Sequence, residues 1–180
     1  MTKRAYIFII VASLLIFNLG IAVATILYRV NISPSFYNIQ SSYKADTIQQ
    51  LTADSDLIVI GKAGKSTSTV KIGGVLFTKT SVKLESVLKG DYSQNSEISL
   101  LQTSNELNDK TNVLKEGDRV LLFLNQYASA GYTIKGAAQG HYIINGDKVL
   151  PVTNDDSVVT RQIKKLKTRD AVEKFIQSSK

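Results

Sequence analysis

Residues 56–62, Asp-Leu-Ile-Val-Ile-Gly-Lys, decide the fold, because the chain's pattern becomes β at this point. Four consecutive apolar residues, three of them β-branched, follow a polar stretch and end at a glycine, which is typical of a buried strand. Further short β-type segments occupy residues 75–88, 97–102, 119–124, 132–135, 141–144 and 148–152. Six or seven short strands divided by glycine turns predict a mainly β domain built as a small antiparallel barrel.

Turns and helix signals complete this pattern. Asn145-Gly146-Asp147 is a strong hairpin signal between the last two strands. Residues 87–88 break the alternation of the second strand and predict a bulge or the end of the strand. A short helix is predicted over residues 44–51, and a second one after Thr168, which is a good N-cap. The barrel is therefore expected to have short helices at both ends.

Three strings carry a resemblance to a known group of domains. They are residues 53–62 (ADSDLIVIGK), residues 82–90 (VKLESVLKG) and residues 114–124 (LKEGDRVLLFL). They resemble small exported domains of Gram-positive bacteria, and their order is similar to the netrin-like domain of tissue inhibitors of metalloproteinases. The resemblance covers roughly residues 44–152 and implies an OB-like barrel. Those inhibitors place an N-terminal cysteine on the protease metal, which a chain without cysteine does not reproduce, and the bacterial group implies no activity.

An uncharged apolar run of 24 residues, 5–28, precedes the barrel. As a helix it would span roughly 36 Å, enough for a hydrocarbon core of about 30 Å. We expect a cytoplasmic tip (1–4), a transmembrane signal anchor (5–28), a juxtamembrane linker (29–43), the barrel domain (44–160) and a basic C-terminal helix (161–180). A signal peptide cleaved after Ala22-Val23-Ala24 is the alternative. Both interpretations export the domain; the first predicts a single-pass protein of the cell membrane, N-in and C-out.

Composition narrows the possible partners. The net charge of +7 comes from the two ends, because residues 31–160 sum to −1, with 12 basic and 13 acidic residues. This distribution lacks the basic stripe expected of a nucleic-acid-binding face, so no nucleic acid is predicted. Cysteine is absent, which excludes disulfides, thiolate metal sites and a lipoprotein anchor. Export without cysteine fits a Gram-positive bacterium.

No catalytic, metal or cofactor site is predicted. Residues 61–67 end like a phosphate loop, but the motif requires glycine where Val59 stands, and the residues that follow are β-prone, so a plain turn between strands is expected. His141 is the only histidine, and we expect a strand-end residue with a backbone partner. The pairs Asp54/Asp56 and Asp155/Asp156 lie at element boundaries, where aspartate commonly forms caps and turns.

The C-terminal segment holds the one charge feature that stands out. Residues 161–180 contain seven basic and two acidic residues, a surplus of +5. Arg161, Lys164, Lys165 and Lys167 are candidates for contact with an anionic surface, either lipid headgroups or a wall polymer. The alternative is a solvated tether or a helix packed on the barrel.

Two classes of function remain open at this point. The first is a membrane-tethered, non-catalytic binding or interaction domain at the outer face of the membrane. The second is an exported hydrolase of cell-wall or peptide substrates, acting through carboxylates or His141. A small accessory or immunity-type membrane protein is a further possibility. The absence of cysteine, the single histidine and the lack of a nucleophile elbow favour the first class.

Four tyrosines are candidate surface aromatics for a binding domain of this kind. An OB-type barrel can hold an oligosaccharide or a peptide on its face, where exposed rings would contact it. Core filling is the expected use of most of these side chains, which are Tyr92, Tyr127, Tyr132 and Tyr142.

The length of the apolar run predicts that it is retained. Apolar residues continue beyond Ala24 to Tyr28, farther than a usual signal peptide requires. Mass measurement of the protein extracted from membranes should therefore find Met1 or Thr2 at the N-terminus. A terminus at Thr25 would show that the segment is cleaved.

Overall fold

A computed structural model describes residues 43–72, 74–103, 114–127, 129–152 and 156–179. All of them belong to one compact unit, residues 37–180. The predicted membrane run and nearly all of the linker lie outside the described residues. Within the described ranges, no helix combines the length and the apolar character needed to cross a membrane.

Seven strands and three α-helices make up the described domain. The strands are β1 (Leu57–Ile72), β2 (Val75–Lys89), β3 (Glu97–Thr103), β4 (Arg119–Tyr127), β5 (Gly131–Ile134), β6 (His141–Asn145) and β7 (Lys148–Pro151). The helices are α1 (Ile48–Asp54), α2 (Val158–Leu166) and α3 (Arg169–Ser178), and a 3₁₀ turn covers Ala137–Gly140. The mainly β prediction with flanking helices is confirmed.

Five strands close into a barrel in the order β1-β2-β3-β5-β4, and β1 pairs with β4 to complete the ring. The β6–β7 hairpin extends the sheet from β4. Four pairings of the ring are antiparallel, but β3 and β5 run parallel, with Leu100 opposite Tyr132. The barrel is thus antiparallel except at this one seam, which the sequence pattern did not indicate.

β1 and β2 form a hairpin much longer than predicted. Residues 61–67, predicted as a plain turn between strands, lie within β1, and the polar residues that follow continue the strand to Ile72. The prediction of a turn at the sequence that resembles a phosphate loop is therefore wrong. A Cβ at Gly61 would lie only 2.7 Å from the backbone oxygen of Lys83, so this glycine permits the close approach of the two strands. The pairing skips Leu88, since Val59 faces Val87 and Ile58 faces Lys89. The break in alternation is therefore a bulge.

Alternate residues of the strands build two hydrophobic cores, as the two-residue period of a strand requires. One core fills the barrel and includes Leu57, Val59, Leu100 and Leu122. The other lies between the outer wall of the barrel and the helices. It combines strand residues such as Ile58 and Phe123 with helix residues; the latter are Ile48, Leu51, Val159, Ile163, Val172 and Ile176. The helices are thus integral to the fold.

The C-terminal segment predicted as one basic helix over 161–180 is two helices. Lys167, with φ of 63°, lies in the left-handed region and ends α2. Thr168 begins α3 by accepting a hydrogen bond from the backbone N–H of Ala171, as its sequence position predicted. Both helices bury an apolar face, so the segment packs on the barrel. This agrees with the prediction of a helix packed on the barrel and not with that of a solvated tether.

Substitution in α2 tests this packing. Ile163 is 1% exposed, whereas Val158 on the same helix is 42% exposed. Ile163→Ala should lower the free energy of unfolding by about 2–5 kcal/mol, because it leaves a cavity in the core. Val158→Ala, the matched control, should change it by less than about 0.5 kcal/mol. Urea unfolding of the full chain in mild detergent measures both, and equal effects would contradict the packing.

Candidate binding groove

A groove of about 190 Å³ opens where the ends of four strands meet. Its wall includes Phe77 of β2, Leu101 of β3, Tyr127 of β4 and Thr133 of β5. Tyr43, which precedes α1, contributes another part of the wall. The groove is therefore assembled from residues far apart in sequence, on strands that the closed barrel holds in place.

An aromatic pair forms the apolar part of the groove. The rings of Phe77 and Tyr127 lie 5.2 Å apart between centroids and are tilted by 51°. Phe77 is buried, while Tyr127 is half-buried, so part of its surface faces the groove. Such a pair offers a rigid platform on which a ring or an aliphatic group of a ligand can pack.

Tyr43 and Lys135 form the charged edge. The Lys135 ammonium lies 4.0 Å from the centroid of the Tyr43 ring, a cation–π geometry. The Tyr43 hydroxyl donates a hydrogen bond of 2.8 Å to Asp54. Burial, together with that bond and the charge of Asp54, raises the pKa of Tyr43 far above its ordinary value, so the phenol remains a neutral donor. Among the described residues that line the groove, Lys135 is therefore the only one that carries a formal charge, and that charge is positive.

Gln139 fixes this wall of the groove. Its side chain accepts a hydrogen bond from the Ala45 backbone N–H (2.9 Å) and donates one to the Ala45 carbonyl (3.0 Å). Gln139 is 5% exposed, so both bonds are buried. They attach the chain before α1 to the 3₁₀ turn, and with it they set the position of Tyr43.

Asn125 supplies an unmet polar group. Its Oδ1 atom is buried and has no hydrogen-bond partner among the described residues. Asn125 lies opposite Thr133 in the β4–β5 pairing, and both line the groove. A buried acceptor without a partner is costly, so the wall of the groove contains an unsatisfied polar atom.

A second cavity of about 200 Å³ lies among the helices. Ile48 of α1, Leu166 of α2 and Phe175 of α3 make it predominantly apolar, with Lys165 at its margin. It offers less chemical variety than the groove on the barrel.

The predicted anionic-contact residues lie on and just after α2. Arg161, Lys164, Lys165 and Lys167 are all exposed. Arg161 also forms a loose ion pair with Asp156, at 3.8 Å. The structure brings these four side chains to the surface of one helix and its C-terminal end, and their contact with an anionic surface stays a prediction.

His141 is a core residue. It is 2% exposed, and its Nε2 atom has no hydrogen-bond partner among the described residues. Burial lowers the pKa of His141 to about 4, against an opposing effect of the Asp118 carboxylate. His141 lines neither of the two cavities.

The candidate carboxylates serve structural roles where they are described. Asp54 accepts the hydrogen bond from Tyr43, and Asp56 accepts one of 2.8 Å from the backbone N–H of Gln126. Asp155 lies outside the described residues. In the described part of the chain, no three histidine, aspartate or glutamate side chains gather in a way that could hold a metal ion.

Sequence reasoning named one residue of the groove, Tyr127, as a candidate surface aromatic. The others gave no motif, because Phe77, Asn125 and Lys135 meet only through strand pairing. Of the remaining candidate tyrosines, Tyr142 is buried in the core, while Tyr92 and Tyr132 contact each other edge to face at 5.9 Å.

No known family model matches this chain, and no curated protein matches it significantly.

The buried imidazole predicts an acid-sensitive fold. The pKa of His141 is about 4 in the folded protein and 6.5 in the unfolded chain, so between these pH values the folded protein binds fewer protons. The neutral, buried His141 therefore contributes its full stabilisation above pH 6.5. This stabilisation, about 3 kcal/mol in all, is lost as the pH falls toward 4. His141→Gln should remove this component from the pH dependence of urea unfolding. NMR titration of the single histidine checks the pKa directly, and a value near 6.5 would contradict burial.

Proposed function

We propose that this chain is a membrane-tethered, non-catalytic binding domain that takes a small apolar or aromatic group of an extracytoplasmic peptide into the groove. The observation that carries the proposal is the combination of the Phe77–Tyr127 ring pair, the Asn125 side chain, whose buried Oδ1 atom has no hydrogen-bond partner among the described residues, and the Lys135 ammonium around one opening. A largely apolar opening with a few converging polar groups is the usual form of a ligand site.

The chemistry of the groove defines the ligand class. A volume of about 190 Å³ accommodates one ring-sized group. Packing on Tyr127 favours a flat or aliphatic side chain, and Asn125 favours a backbone N–H beside it. Lys135 favours a carboxylate within reach of the same group. A peptide with an aromatic residue next to an acidic group has all three features.

The proposal includes an OB-type barrel located at the outer face of the cell membrane of a Gram-positive bacterium. The strand order β1-β2-β3-β5-β4-β1 supports the OB assignment, as does the resemblance to netrin-like domains. OB barrels bind ligands on the face of strands 2 and 3, and Phe77 and Leu101 of the groove lie on those strands. The apolar run 5–28 supports the location.

The alternative is an exported hydrolase. Against it stand the burial of His141 away from the groove and the use of Asp54 and Asp56 in structural hydrogen bonds. The accessory or immunity-type protein remains a variant of the binding function, with a membrane protein as the source of the bound segment.

Binding of a minimal probe tests the groove. N-acetyl-phenylalanine, with its free carboxylate, should bind the full-length chain in detergent more tightly than N-acetyl-phenylalanine amide. Tyr127→Ala should weaken its binding about tenfold by removing the platform. Lys135→Gln should weaken it less, about fivefold, and should abolish the preference for the carboxylate. Ligand-observed NMR measures these affinities.

Tyr92→Ala is the matched control, because Tyr92 is 41% exposed and lies outside the groove. It should leave binding unchanged. Binding of N-acetylglucosamine in preference to the peptide probe would replace the peptide with a sugar ligand. Cleavage of a longer peptide by the intact protein would support the hydrolase instead.

A further inference from the structure

The sequence of the β1–β2 hairpin is rich in positive charge. Residues 57–84 contain five lysines and no aspartate or glutamate. Four of these side chains are exposed: Lys62, Lys65, Lys71 and Lys83. At the base of the hairpin, Glu97 faces Lys83 and Glu85 binds Arg119. The exposed lysine nearest the tip is Lys71.

The tip of the hairpin is apolar and accessible. Leu76 is 45% exposed, the highest value among the large hydrophobic residues that the structure describes as exposed. Val70, Ile72 and Val75 are each half-buried. Lys71 lies directly opposite Leu76, so a cation and an exposed aliphatic side chain occupy one face of the tip.

The hairpin tip extends past the described strands that neighbour it. β4 pairs with β1 over Leu57–Lys62, and β3 pairs with β2 from Phe77 onward. In the described part of the sheet, residues 71–76 pair only with each other. Among the described strands, contact of the tip with a flat surface would therefore break no pairing of the barrel.

We propose that this hairpin docks on an anionic lipid bilayer, with Leu76 and its apolar neighbours at the acyl boundary and Lys71 among the headgroups. A lysine beside exposed apolar residues matches the two layers of a membrane interface. An anionic polymer in solution would satisfy the lysines but would leave Leu76 in water, so the exposed aliphatic tip favours lipid. The docking depends neither on the groove's ligand nor on the C-terminal lysines.

The absence of tryptophan makes the docking directly measurable, because one introduced tryptophan reports alone. Leu76→Trp in the full-length chain, reconstituted in bilayers, should emit at shorter wavelength when phosphatidylglycerol is included than in pure phosphatidylcholine. Brominated lipid should quench it. Leu150→Trp is the matched control, since Leu150 is 41% exposed on β7, and it should show neither effect. Ile72→Trp supplies a second reporter should Leu76→Trp distort the tip.

Lysine substitutions distinguish docking by the hairpin from docking by the C-terminal helices. In the Leu76→Trp background, Lys71→Gln should lower the ratio of inserted to free hairpin about fivefold, and added salt should act in the same direction. Changing Lys164, Lys165 and Lys167 to glutamine should leave the fluorescence of the hairpin tryptophan unchanged. Circular dichroism verifies folding of each variant.

Three results would overturn the proposal. The first is a Leu76→Trp variant whose emission in anionic bilayers remains that of a water-exposed indole. This result would overturn the proposal even if the lysines bound soluble polyphosphate. The second is equal quenching of the Leu76→Trp and Leu150→Trp variants, which would mean that the domain touches lipid without orientation. The third is loss of the hairpin tryptophan's blue shift when the C-terminal lysines are changed but not when Lys71 is changed.

Discussion

The pairing of β1 on both sides is the constraint on which the rest of the structure depends. Residues 57–62 bond to β2 along one edge and to β4 along the other, which closes the ring. Leu57 and Val59 pack inside the barrel, while Ile58 and Ile60 belong to the hydrophobic core between the barrel and the helices. A strand buried on both faces explains why its apolar run is continuous instead of alternating. Ring closure also leaves no free edge along this part of β1.

Polar contacts between residues far apart in sequence hold α1 against the core formed by Ile58 and Ile60. The Gln162 side chain accepts a hydrogen bond of 2.9 Å from the backbone N–H of Ile48, at the start of α1. The Lys89 ammonium donates to the carbonyls of Thr52 and Ala53, at its end. These are the backbone groups that a short helix leaves without internal partners. Both ends of α1 are thus fixed by other elements, and Tyr43, just before it, is fixed with them.

Local sequence signals predict the elements whose cause is local. The Asn145-Gly146 turn, the bulge at Leu88 and the Thr168 cap each depend on a few neighbouring residues, and each is present. The distal half of β1 has the sequence of a polar stretch before a turn, because its serines and threonines show no core-facing pattern. It is a strand since β2 pairs with it, with register shifts between Ala63 and Ser68 and continuously over Ser68–Ile72.

Features that depend on tertiary pairing lie beyond the reach of such signals. The parallel seam at Leu100 and Tyr132 requires knowing that β5 inserts between β3 and β4. The break at Lys167 escapes prediction for another reason: a lysine with positive φ is uncommon, so nothing in its identity marks the end of a helix. The groove is hidden in the same way as the seam, because four strands contribute to it.

Phe77 links the proposed binding groove to the hairpin that is proposed to dock on a membrane. It pairs with Val70 inside the hairpin and stacks on Tyr127 in the groove. Phe77 is 2% exposed, so it cannot itself enter a membrane without unpacking the groove. This burial sets a limit to how deeply the hairpin can insert, at the level of residues 71–76. A bilayer contacting the tip would then lie just beyond the groove, which would remain in water and open to a peptide presented close to the membrane.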